Sequence, residues 1–166
     1  MGSVSTIGAF LDNFSELLQE RQGLQGVAVF TAPIADAALL GPEHIVLGVE
    51  PIDDEYQYLT GTPQQRIDEL YQVDCYCISA GAIPPTKTEP EVIKIVRDRT
   101  LAILEEIYDQ LRESNTTTLV TEGELGVGDA RIIRLKMTQT INDEPFARIC
   151  ELRFTIRVKA TFIPAN

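Results

Sequence analysis

Residues 146–162 read FARICELRFTIRVKATF, and the alternation in this stretch decides the fold. Phe146, Cys150, Leu152, Phe154, Ile156, Val158, Ala160 and Phe162 share one side, with Glu151, Arg153, Thr155, Arg157, Lys159 and Thr161 on the other. A period of two is the strand period, because successive side chains point to opposite faces of a sheet. Only Arg148 and Ile149 blur the pattern, close to the turn chemistry of Asn142-Asp143-Glu144-Pro145. Length adds a second expectation. A strand of this size spans about 55 Å, whereas a compact chain of 166 residues is roughly 40 Å across. The strand should therefore bend, carry a bulge or project. In the projecting case its Phe146 end and turn would offer unpaired backbone to another subunit.

Working outward, residues 130–140 alternate in the same way, with Ile133, Leu135 and Met137 against Arg134, Lys136 and Thr138. The two runs make a long C-terminal hairpin. Upstream, Thr88 and Glu91 form a capping box and Pro90 is tolerated in the first turn, which opens a helix over 88–112. Val92, Ile95, Val96, Ile103, Ile107 and Leu111 are its expected buried stripe. Ile93, Leu101, Leu104 and Tyr108 widen that stripe, so the helix lies deep against a sheet or has a second partner. Ile93, Leu101 and Tyr108, with Asn142, Asp143, Glu144 and Phe146 at the hairpin turn, are the candidate subunit contacts.

An N-terminal helix is expected over 6–22, from Ile7, Phe10, Leu11, Phe14, Leu17 and Leu18 at helical spacing, with Gly23 as its C-cap. Residues 27–31, 45–49 and 66–79 read as strands, and 51–65, 80–88 and 114–129 as polar loops with a weak strand at 118–121. The class is α+β: a mixed or antiparallel β-sheet of about four to six strands, packed by an N-terminal helix and one long central helix. Residues 1–166 are expected to form one domain, with projecting loops or a hairpin at 51–65, 114–129 and 138–148.

The composition is that of a globular chain, 44% hydrophobic and 23% charged. No run reaches the length of a membrane span, and no basic-then-apolar leader opens the chain. Three cysteines, an odd number, suit a reducing compartment. A net charge of −11 argues against gripping nucleic acid through its phosphates.

Chemistry is hard to assemble from these residues. His44 is the single histidine, and pairing it with Cys75 or Cys77 makes neither an activated thiol nor a zinc spacing. Asp53-Asp54-Glu55 lacks the alternate-ligand pattern of a calcium loop. Gly123, Gly126 and Gly128 do not form a phosphate loop, since no Lys-Ser/Thr and no helix follows. The reading is a non-enzymatic interaction protein with no cofactor, no metal and no catalytic residue.

The order of elements resembles the tail terminator, or tail-completion (minor tail), proteins of long-tailed bacteriophages. The resemblance rests on the opening amphipathic helix, Gly26-Val27-Ala28-Val29-Phe30, Glu69-Leu70-Tyr71-Gln72-Val73, the long helix with Arg97-Asp98-Arg99, and the terminal alternating pair. Cys75 and Cys77 are not expected of that family. The resemblance implies a homo-oligomeric ring, commonly a hexamer, that caps the tail tube protein at the head–tail junction and then meets a head-completion or neck protein. It implies assembly in the bacterial cytoplasm, a place in the virion, no membrane partner, and DNA passing through without specific binding. Under it, Asp53, Asp54, Glu55, Glu122, Glu124 and Asp129 are candidate acids facing the lumen or the tube. Three other readings remain: another head–tail neck or connector protein, a ferredoxin-like ligand-binding or regulatory domain with an apolar pocket beside the long helix, and a weak enzyme built on Cys75, Cys77 or His44.

Overall fold

The structure is a computed structural model and describes residues 5–59, 66–117, 127–143 and 146–163. Its elements run α1 (Ile7–Glu20), a 3-10 turn (Gln22–Leu24), β1 (Ala28–Phe30), α2 (Ala37–Leu40), β2 (Glu43–Leu47) and β3 (Asp54–Leu59). They continue with β4 (Arg66–Ala82), α3 (Glu89–Thr117), β5 (Val127–Asp143) and β6 (Phe146–Phe162). One six-stranded sheet has the order β1-β2-β4-β6-β5, with β3 also on β4. Strands β2 and β3 share one edge of β4: β2 takes Cys75 to Ser79 and β3 takes Arg66 to Tyr71. Among the described strands only the β1–β2 pair is parallel, so the sheet is mixed. This is the α+β class the alternation pointed to.

One face of the sheet carries the helices. Tyr71, Val73, Cys75 and Cys77 of β4 and Leu152, Phe154, Ile156 and Val158 of β6 pack with Phe10, Phe14 and Leu18 of α1 and with Ile103, Ile107 and Leu111 of α3. Two details lock α3 onto the sheet. The Thr88 backbone N–H donates to the Glu91 carboxylate at 3.2 Å and the Glu91 N–H donates to the Thr88 hydroxyl at 3.4 Å, which is the expected capping box. The buried Thr100 hydroxyl donates to the Val96 carbonyl at 2.8 Å and to the Cys150 carbonyl of β6 at 3.2 Å. Gly81 permits close packing there, since a Cβ would stand 2.9 Å from a Val96 methyl.

Several sequence expectations change. β6 neither projects nor frays: it pairs with β4 from Ala147 to Phe162 and with β5 from Phe146 to Ala160. The length problem is solved by company, because β4, β5 and β6 each have 17 residues and α3 has 29. The bulges fall instead on β5, at Val127/Asp129 and Ile132/Arg134. The polar run 51–65 is not all loop, since Asp54–Leu59 forms β3. Polar side chains suit a strand whose outer edge is open. Residues 114–117 continue α3, and the weak strand at 118–121 lies outside the described residues. Ile95 is exposed rather than buried. Gly23 is not a C-cap; Arg21 ends α1 in extended conformation, and Gly23 sits in the 3-10 turn against the Glu106 carboxylate.

Candidate assembly surface

β5 is an edge strand, and its outer half is bare. Beyond the bulge, Leu135, Met137 and Ile141 lie on the same sheet face as Phe154, Leu152 and Arg148 opposite them. That face is the helix-bearing one, yet Leu135 is 48% and Ile141 51% exposed, while Phe154 is 2% exposed. The reason is coverage. Five strands abreast span about 24 Å, and two helices lying side by side cover about 20 Å. The helix layer runs out before β5.

α3 contributes a second apolar strip to this flank. Its far side is fixed by Arg99 to Glu43 of β2 and by Glu106 to Arg21 just after α1. With about 100° per residue, Ile93, Leu101 and Tyr108 fall on the side towards β5. Ile93 is half-buried beside Gln139 and Thr140 of β5 in a groove of 190 Å³. Leu101 and Tyr108 are exposed. Of the three contacts expected on α3, Ile93 stands beside β5, while Leu101 and Tyr108 lie exposed on the helix. Asn142, Asp143 and Phe146 lie at the strand ends of the same hairpin, and Glu144 lies outside the described residues. No residue pattern warns that Leu135, Met137 and Ile141 stay uncovered, since alternation is identical in covered and bare strands.

The helix-free face is polar and carries both signs. Arg131 faces Arg157 and Lys136 faces Arg153, a like-charge arrangement that destabilises an isolated pair of strands. Acids temper it: Asp129 bonds to Arg131 at 2.9 Å and Glu151 to Arg153 at 2.6 Å. Asp68 and Asp74 accept hydrogen bonds from Thr161 at 2.7 Å and Thr155 at 2.5 Å.

The opposite edge of the sheet holds the acidic triplet, divided by the strand alternation. Asp53 and Glu55 are exposed. Asp54 turns to the helix face, where it accepts from the Ser5 hydroxyl at 3.0 Å. Ser5 also donates to Glu69 at 2.9 Å, and the Thr6 N–H donates to Glu69 at 2.6 Å. Glu69, 2% exposed, thus supplies from β4 the negative charge that the first turn of α1 lacks. Burial, and then the neighbouring Glu69 carboxyl, push the Asp54 carboxyl up to about 7, against an ordinary 3.8. Of the other acids singled out, Asp129 is in β5, and Glu122 and Glu124 lie outside the described residues.

The nucleophile reading fails on geometry and on acidity. His44 pairs with Ile78 and packs edge-on to Tyr76, on the sheet face opposite Cys75 and Cys77. Its imidazole is held below its usual range by burial. Burial pushes the Cys75 thiol up to about 12 and raises Cys77 and Cys150 as well, the reverse of an activated thiol. No group of three His, Cys, Asp or Glu is arranged for a metal among the described residues, and no helix there is long and apolar enough to cross a membrane.

Together these features define a helix-backed mixed sheet with one acidic and one basic, apolar-flanked edge. No protein-family model matches the chain, and no curated protein matches it. Among solved structures the same fold occurs in a chain of the virion of a native gene transfer agent particle. The TM-score is 0.52 and the identity 16%, over 95% of this chain and 99% of that one.

Proposed function

We propose that this chain is a structural virion protein that closes into a ring, a hexamer in the reading its sequence suggests, and caps the end of a phage-type tail tube. The ring stops tube polymerisation and presents a joining surface to the head or neck. One observation carries this reading: the Leu135–Ile141 half of the edge strand β5, with Leu135, Met137 and Ile141 exposed beside the exposed Leu101 and Tyr108 of α3. Such an edge is a liability in a free monomer and a ready interface in an assembly. The likeness of nearly the whole chain to a gene transfer agent virion chain supports a phage-derived particle as its setting. Ring contacts are head-to-tail, so each copy needs two different surfaces, and the two unlike sheet edges supply them.

The test is direct. Purified tail tubes are incubated with the chain and then with free tube subunits, and the ends are viewed by electron microscopy. Added density at one end and arrested elongation are expected. Tubes that stay bare and keep growing overturn the reading, and density on neck-bearing heads alone would favour a connector role instead.

A further inference from the structure

We propose that Asp54 and Glu69 share one proton and form a latch on β3. With the proton in place, the first residue of β3 is closed onto β4 and the start of α1; its loss releases that end of β3 while the rest of the fold stays shut. The latch acts on the edge of the sheet opposite β5 and stands whether or not the chain caps tails.

The two carboxyl groups have too few donors between them. Glu69 accepts from the Thr6 N–H at 2.6 Å, from the Thr6 hydroxyl, and from the Ser5 hydroxyl at 2.9 Å. The Thr6 hydroxyl is also 3.0 Å from that of Tyr71. Asp54 is served less well. Its Oδ2 accepts from the same Ser5 hydroxyl at 3.0 Å, and its Oδ1 is buried with no hydrogen-bond partner. A serine hydroxyl carries one hydrogen, so it cannot satisfy both acids. The two carboxyl groups also stand within hydrogen-bonding reach of each other. Ionised carboxylates only accept, so a bond between them needs a proton.

No positive charge takes the place of that proton. The titratable groups facing Asp54 are Glu69 and Tyr71 of β4 and Tyr56 of β3, and the start of α1 brings the neutral Ser5 and Thr6. Among the described residues no Arg, Lys or His acts on it. A second negative charge beside Glu69 would therefore go uncompensated.

The surroundings also decide which partner yields. Glu69 is 2% exposed, held by Ser5 and Thr6, and lies in a strand paired on both sides, opposite Tyr56 of β3 and Ala160 of β6. Asp54 is half-buried at the first position of a six-residue strand that pairs with β4 alone among the described strands. Repulsion thus drives Asp54 towards water and leaves Glu69 with α1. Opening one end of a short edge strand costs less than unfolding the chain.

The sign follows from where the proton is held. The closed state keeps it up to about 7, whereas a released Asp54 has the ordinary carboxyl value of 3.8. Between those values the closed state binds more protons. Each pH unit of increase there favours opening about tenfold, and the effect levels off once the closed state has also lost its proton.

Hydrogen exchange on the full chain, corrected for the intrinsic pH dependence of amides, tests this from about pH 5 to about pH 8. Amides of β3 are expected to be about a hundredfold less protected than those of β6. Their protection should fall about tenfold per pH unit and then flatten above neutrality. Asp54→Asn, whose side-chain amide donates to Glu69 without titrating, should keep β3 closed and abolish the slope. Glu69→Gln, whose amide donates to an ionised Asp54, should abolish it as well. Asp53→Asn, at an exposed neighbour, should leave the slope unchanged. A wild-type chain without the slope, or a slope that survives Asp54→Asn, overturns the proposal. Equal protection of β3 and β6 also overturns it, because β3 would then open only when the whole chain unfolds.

Discussion

β5 and β6 are two consecutive strands of equal length that alternate alike, and they have opposite fates. Phe154 and Leu135 sit directly opposite each other on the same face. Phe154 is sealed beneath the helices, while Leu135 is half in solvent. The side chains differ little in hydrophobicity, so burial was decided by position in the sheet: β6 is paired on both edges and roofed, and β5 is paired on one and left outside the roof. An apolar strand face is a core element in one place and an interface in the other.

The largest effect should come from the covered partner. Phe154→Ala is expected to cost about 3–5 kcal/mol, through lost transfer energy and a cavity beneath α1 and α3. Urea unfolding would measure it, and a loss below 1 kcal/mol would mean that β6 is not the spine of the core.

The far edge of the sheet gives an intermediate, pH-dependent effect. Asp54 keeps its proton in the folded chain up to about 7, while the unfolded chain releases it near 3.8. Between those values the folded state binds more protons, so stability should fall as pH rises through this window. Asp54→Asn should flatten that slope. Denaturation midpoints at several pH values would show it, and an unchanged slope would remove Asp54 as the source.

The smallest effect on folding should be at the bare partner. Leu135→Ala is expected to change monomer stability by no more than about 0.5 kcal/mol, because little is buried there, yet it should weaken the capping of tail tubes. A loss as large as that of Phe154→Ala would show that Leu135 is packed in the monomer.

Much of this was legible in the residues. The capping box at Thr88 and Glu91, the stripe of Ile103, Ile107 and Leu111, and the alternation of β4 and β6 are local patterns, and local patterns are written in order along the chain. β3 was hidden because an open strand edge tolerates polar residues such as Glu55 and Gln57, which read as loop. The Asp54–Glu69 clasp joins residues from β3, β4 and the start of α1, and no spacing rule links them. Ile95 was placed in the core by helical period alone, but it is half in solvent.

The sequence by itself determined that residues 146–162 are a strand and which of their side chains share a face. Steric alternation of the backbone leaves no other choice for that pattern. Only the tertiary structure decided that this strand is central and that its hairpin partner is the edge. Strand order, and the width of the helix layer against the width of the sheet, are properties of the whole packing and of no single segment.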